Sequence, residues 1–217
     1  LSNMKELGLA LGMYANDYDG TLMQTTYEQW APTDPKVHWS YMLQSYVKNV
    51  QIFVCPSDTN PVTPSTPADL QVPAFSYINN YSAIPAHDYL PVSEAVFGTP
   101  ASLIVLAERR DKLNSGTVIG QWKGTSGFIP GQPCSFHVLG VDYVYATKDA
   151  AVAGLNAKKD KPEITRVRWD RHSQGANYNF FDGHAKWMQF DQTLRPENFY
   201  WGEKFYPPHA PWNADCH

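Results

Sequence analysis

RHSQGANYNFFDGHAKWM, residues 171–188, is the stretch on which the fold turns. Between Asn177 and Met188 it reads as a two-stranded β-hairpin, because Asp182-Gly183 tolerates the positive φ angles of a two-residue type I′ turn. That turn predicts Phe181 opposite His184, Phe180 opposite Ala185, Asn179 opposite Lys186 and Tyr178 opposite Trp187. The side-chain period of two then puts Tyr178, Phe180, Ala185 and Trp187 on an aromatic core face. Asn177, Asn179, Phe181, His184, Lys186 and Met188 fall on a mixed face.

His172, nine intervening residues and then Asp182-Gly183 resemble the signature of a large bacterial family of prepilin-type proteins named for that spacing. These are pseudopilin-like proteins related to the major pseudopilin of type II secretion. Further matches follow in the family's order: LSNMKELGLALGMYANDYDG at 1–20, YVKNVQIFVCPSD at 46–58, FSYINNYS at 75–82, SLIVLAERR at 102–110 and RPENFYWG at 195–202. The resemblance implies a truncated helical spine packed on an antiparallel sheet. It also implies a structural subunit of a type IV pilus-like or type II secretion pseudopilus-like filament, without catalytic residues. His172, Asp182, Gly183 and Trp187 are then signature residues with a structural role. The implied partners are copies of the chain or other pilin-like subunits, and the membrane through an N-terminal helix. The implied location is the bacterial cell envelope, an inner-membrane-anchored precursor with a periplasmic or extracellular head. No cofactor is expected; calcium enters by family analogy alone, since the secretion relatives carry it in a C-terminal loop, and no ligand pattern in this sequence matches theirs.

Composition is consistent with a single domain of 217 residues. Lys plus Arg number 17 against 21 for Asp plus Glu, a net charge of −4, and the one basic run is Lys158–Lys161, so nucleic acid is excluded as a partner. Seven Trp and thirteen Tyr exceed what a small core needs, which points to protein contacts or sugar stacking at the surface. Cys55, Cys134 and Cys216 are an odd number and form no Cys-x-x-Cys pair, so neither a zinc site nor a thioredoxin-like motif is indicated by the sequence. All three are disulfide candidates in the exported domain that the resemblance implies, with the pairing open.

Met4, Leu7, Leu11, Tyr14 and Tyr18 are spaced as one face of an α-helix over residues 1–18. A helix pattern running from the first residue, with only Ser2 as a poor cap, reads as a chain cut within a longer helix. Nowhere are there eighteen consecutive apolar residues. Asn16–Gly20 is not an EF-hand: numbered from Asp17, with Asp19 third and Glu28 twelfth, the sixth position is Leu22, where Gly is required. Asp19-Gly20 is read as a helix stop.

Trp39, Met42, Leu43, Tyr46 and Val47 give a second helical face within 38–49, followed by an apolar run, Val50–Val54, ended by Pro56. A proline-rich surface loop covers 60–73. Ser102–Ala107 is continuously apolar, as a central strand buried on both faces must be. Further strands are expected at Thr117–Trp122, Phe136–Thr147 and Ile164–Trp169, the last with Arg166 and Arg168 outward, and a short helix at Ala150–Lys161. The tail from Pro196 to His217 is expected to wrap the sheet. Helices followed by strands make an α+β domain with a helix on an antiparallel sheet.

No Gly-x-Ser-x-Gly, His-Glu-x-x-His, P-loop or Gly-x-Gly-x-x-Gly occurs. Two alternatives stand beside the filament subunit. A cell-surface carbohydrate-binding module would use Trp122, Trp169, Trp201, Trp212 and the aromatic tail. A metal-dependent enzyme would use His172, Asp182 and His184 as ligands or an acid–base pair near the turn.

Overall fold

Met4, Leu7, Gly8, Ala10, Leu11, Tyr14 and Ala15 form the buried face of α1, Ser2–Asp17, whose N-terminus no side chain caps. The helix stops as its sequence requires. Asp19 (φ 53°) and Gly20 (φ 74°) turn left-handed, and the Gly20 amide donates to the Ala15 carbonyl at 2.7 Å. Tyr18 lies past the helical stripe; it is exposed and stacks on Tyr14. In this computed structural model the described residues are 1–24, 38–63, 73–80, 82–85, 90–109, 167–195 and 198–202. The strands expected at Thr117–Trp122 and Phe136–Thr147, the helix at Ala150–Lys161 and most of the tail lie outside them, as do Cys134 and Cys216.

The second helix is a single turn, α2 (Trp39–Met42), continued by a 3₁₀ turn over Leu43–Tyr46. The apolar run after it is also a 3₁₀ turn, Val50–Phe53, because the Asn49 side chain accepts the Gln51 amide at 2.9 Å and starts helical winding. Ile52 and Phe53 thereby point into the core against Trp39 and α1.

Four antiparallel strands follow: β1 (Tyr77–Asn79), β2 (Ile104–Glu108), β3 (Ala176–Phe180) and β4 (Ala185–Met188), in that spatial order. The run expected at Ser102–Ala107 thus supplies an inner strand, but only from Ile104 and on to Glu108: Ser102 is exposed in a 3₁₀ turn, Pro100–Ser102, and the strand that follows is buried along its whole length. Its pairing with β3 shifts by one residue between Ile104 and Leu106. That bulge leaves the Ile104 and Val105 carbonyls to Asn80, whose side-chain and main-chain N–H groups meet them at 2.7 and 2.8 Å. Of the strand expected at Ile164–Trp169, the described part is one bridge, Val167 to Arg109. A short helix α3 (Phe190–Thr193) and a two-residue pair, β5 (Leu194–Arg195) with β6 (Asn198–Phe199), complete the described chain.

Both faces of the sheet are covered, which explains why every residue of β2 and β3 is buried. One face carries α1. The other holds Ile78, Ile104, Ala107, Tyr178 and Phe180 beneath Phe190 and Trp201. The chain is therefore an α+β protein with a helix on a four-stranded antiparallel sheet.

The hairpin exists, but its register is one residue away from expectation. Asn177 pairs with Trp187, Tyr178 with Lys186 and Asn179 with Ala185. The connection has three residues, Phe181, Asp182 and Gly183: Gly183 donates to the Phe180 carbonyl at 2.9 Å, and Phe180 to the His184 carbonyl at 2.9 Å. Gly183 alone takes a positive φ, +86°. This is a type I turn closed by a left-handed glycine, which admits an extra residue where a type I′ turn does not. The shift exchanges partners across the faces. Met188 joins Tyr178 and Phe180 in the core, whereas Trp187 is 41% exposed. Asn177 and Asn179 turn inward beneath α1.

Gly183→Val is expected to cost about 1–3 kcal/mol through its left-handed backbone. A side chain at Gly183 would meet the Gly8 carbonyl at an ordinary 3.5 Å, so the cost is conformational, and Gly183→Asn should recover most of it in the same urea titration.

Candidate functional site

Glu108 is the polar end of an apolar strand. Because β2 is buried to its last residue, its carboxyl enters the interior at 1% exposure, on the face that carries α1. Asn177 on β3 donates from Nδ2 to Glu108 Oε1 at 2.9 Å. The Nε2 of His172 lies 2.8 Å from the same oxygen, and Cys55 Sγ lies 3.5 Å from that nitrogen. Glu108 Oε2 is buried with no hydrogen-bond partner among the described residues. Cys55 follows the Val50–Phe53 turn and is a free, buried thiol. Asn3 of α1 donates to the neighbouring Val54 carbonyl at 2.9 Å, so the helix holds this segment over the sheet.

His172 is aimed by a strained turn. His172 and Gly175 exchange both backbone hydrogen bonds, at 2.8 and 3.1 Å, across Ser173 (φ 52°) and Gln174 (φ 63°). Two consecutive left-handed residues make this a type I′ geometry, normally written with Asn and Gly. The turn expected at Asp182-Gly183 is thus found at Ser173-Gln174, where the sequence gives no such signal. Trp187 Nε1 donates to the His172 carbonyl at 2.8 Å, and its ring occupies the space a side chain at Gly175 would need. Replacing Gln174 by Gly should relieve strain and raise stability by about 0.5–1 kcal/mol, read by chemical denaturation.

The preceding residue is equally enclosed. Arg171 Nη2 lies 3.2 Å from Asp58 Oδ1 and donates to the Arg109 carbonyl at 2.9 Å, with both side chains of the ion pair almost fully buried. Burial pushes the Glu108 carboxyl above the usual carboxylate range, although Asn177, His172 and Arg171 pull it back. Burial likewise pushes the Cys55 thiol up, opposed by a hydrogen bond from the Ser57 backbone. Tyr77, opposite Glu108 on β1, is raised by burial and by its proximity to Cys55 and Glu108.

A nucleophilic cysteine needs a lowered pKa and a base whose second ring nitrogen is held by a third group. Here thiol and carboxylate meet the same nitrogen, and the thiol is raised. What the three groups share is proximity: one ligand atom from each of Cys55, Glu108 and His172 lies within 4.8 Å of the other two.

The trio anticipated from sequence does not assemble. Asp182 Oδ1 accepts the His184 amide at 3.1 Å and meets His184 Nδ1 at 2.5 Å, while the His184 ring stacks on Phe180. His172 lies at the other end of β3, five residues long and roughly 17 Å in extent. Among the described residues, the one three-membered cluster has a sulfur, a nitrogen and an oxygen donor, a set unlike the oxygen ligands calcium requires. Of the Trp residues proposed for sugar stacking, Trp201 is fully buried, with Nε1 donating to Thr193 Oγ1 at 3.0 Å, and Trp169 packs against Phe190. Trp122 and Trp212 lie outside the described residues.

Sequence reasoning singles out His172 but not Glu108, and takes Cys55 as a disulfide candidate with no zinc site indicated, because a ligand set drawn from three distant segments leaves no Cys-x-x-Cys spacing. A carboxylate continuing an unbroken apolar strand was the available signal for Glu108. Comparison with protein-family models, with curated proteins and with solved structures found no match for the chain.

Proposed function

We propose that the chain is a structural subunit of a pilus-like or pseudopilus-like filament of the bacterial cell envelope, with a pilin-like fold, and not an enzyme. The observation that supports this most is the second face of α1. Its inner face packs on the sheet, yet Leu1, Leu9 and Met13 stand outward at spacings of eight and four, with Leu9 67% and Met13 53% exposed. A helix apolar on both sides has one covering within the chain and wants another outside it. A groove of about 380 Å³ runs beside it, between Gly12 and Met13 of the helix and Glu94, Phe181 and Asp182. In the proposed filament this surface meets the helices of neighbouring copies or related subunits, and an N-terminal extension of the helix reaches the membrane. No helix among the described residues is long and apolar enough to cross a membrane.

The test is assembly. Leu9→Glu in the full-length protein should leave the melting temperature of the head unchanged, because Leu9 is exposed. It should also abolish incorporation into filaments, as seen by electron microscopy of cells. Normal incorporation of that variant would refute the reading.

A further inference from the structure

We propose that Cys55, Glu108 and His172 form a zinc-binding site, which joins three chain segments through Sγ, one carboxylate oxygen and Nε2. This is independent of the filament reading. Donor chemistry selects the metal: thiolate, imidazole and carboxylate together suit a borderline-soft divalent cation such as Zn²⁺ and not Ca²⁺ or Mg²⁺.

Geometry fits. Ligand atoms of a tetrahedral zinc site stand roughly 3.5 Å apart. Nε2 is 3.5 Å from Sγ and 2.8 Å from Oε1, and the three ligand atoms lie within 4.8 Å of one another, so the imidazole–carboxylate pair must open by roughly 0.7 Å and the thiol–carboxylate pair close by at most about 1.3 Å. Three protein ligands leave a fourth position, and the His172 side chain, 27% exposed, is the route by which the ion and a water reach it.

A further observation points to a ligand. Glu108 is buried with Oε2 unpartnered among the described residues, an arrangement that is costly for a carboxyl group and is relieved by a cation. The Ser173-Gln174 turn directs His172 to the cluster. Outer partners are present: Asn177 holds Glu108, and the Arg171–Asp58 pair sits beside the cluster. On binding, the thiol proton and any proton on Glu108 leave to solvent. The charges of Zn²⁺, thiolate and carboxylate then sum to zero, and the burial that disfavours each anion alone is offset. Nothing in this arrangement requires catalysis.

The experiment uses the whole chain, reduced and titrated with Co²⁺ and then Zn²⁺. One equivalent of Co²⁺ should give a thiolate-to-cobalt charge-transfer band with tetrahedral visible absorption, and Zn²⁺ should bleach both. The band should vanish in Cys55→Ser and persist in Cys134→Ser and Cys216→Ser. His172→Gln, at a partly exposed position, should fold and bind at least about tenfold more weakly. X-ray absorption of the zinc-loaded parent should show one sulfur among light-atom ligands, a readout that does not depend on any variant folding. The proposal is overturned by a folded parent that gives no band, by a band indifferent to Cys55→Ser, or by zinc coordinated through nitrogen and oxygen alone.

Discussion

Gly8→Val should destabilise the chain by about 4 kcal/mol, combining overpacking against rigid backbone with loss of a buried hydrogen bond. A side chain at Gly8 would run into the Gly183 carbonyl and the Asn179 amide. Neither can retreat. The carbonyl belongs to the hairpin turn, and Asn179 Nδ2, buried in the sheet, donates to the Met4 carbonyl of α1 at 3.2 Å. Gly8 is thus where the helix backbone lies directly on the Asp182-Gly183 turn, which gives the signature turn its structural task as the seat of α1. Gly12 supplies the control. A methyl group there would meet nothing within 4 Å, so Gly12→Ala should stabilise the helix by roughly 0.5–1 kcal/mol. Opposite signs at two glycines one turn apart, in the same denaturant titration, would distinguish close approach from helix propensity. Equal effects would remove the claim that the turn seats the helix.

Arg171→Ala should cost about 3–5 kcal/mol, the effect of removing one partner from a buried ion pair. Asp58, 3% exposed at its side chain, would keep its charge with the Asn60 amide, 3.1 Å away, as its remaining hydrogen-bond partner among the described residues. The Arg109 carbonyl would lose the hydrogen bond from Arg171 as well. Arg171→Lys should recover only part of the loss, since an ammonium cannot reproduce the planar fork that reaches Asp58 and the carbonyl together. The diagnostic is the pair Arg171→Met with Asp58→Leu. If burial of an unpaired charge is the cause, the double variant should be more stable than Arg171→Ala, and a double variant at least as unstable would refute that cause.

Elements whose signal is local were legible in the sequence. The helix face through Met4, Leu7, Leu11 and Tyr14, the stop at Asp19-Gly20 and the inner strand, expected at Ser102–Ala107 and found at Ile104–Glu108, all rest on side-chain pattern or on a single turn residue. Register was not legible, because one backbone angle decides it. With Asp182 outside the left-handed region, the turn takes a third residue, and Trp187 and Met188 exchange faces. The 3₁₀ turn at Val50–Phe53 was hidden for a similar reason, since three apolar residues and Gln51 fit either winding until the Asn49 cap decides. The site was the least legible. Cys55 and His172 are 117 positions apart, and only the pairing of β2 with β3 brings Glu108 to Asn177 and the turn that carries His172. His172 was attributed to the Asp-Gly turn because the two share a motif. In space they serve different ends of the same strand.

The filament reading is tested most directly at Leu9 itself. A single cysteine introduced there, in full-length protein with Cys134 and Cys216 changed to Ser, can be treated with a short bifunctional thiol crosslinker in intact cells. The account predicts covalent links from α1 to a second copy or a related subunit, together with protection from a water-soluble maleimide. A Leu9→Cys protein that stays monomeric and labels fully in assembled cells would contradict it.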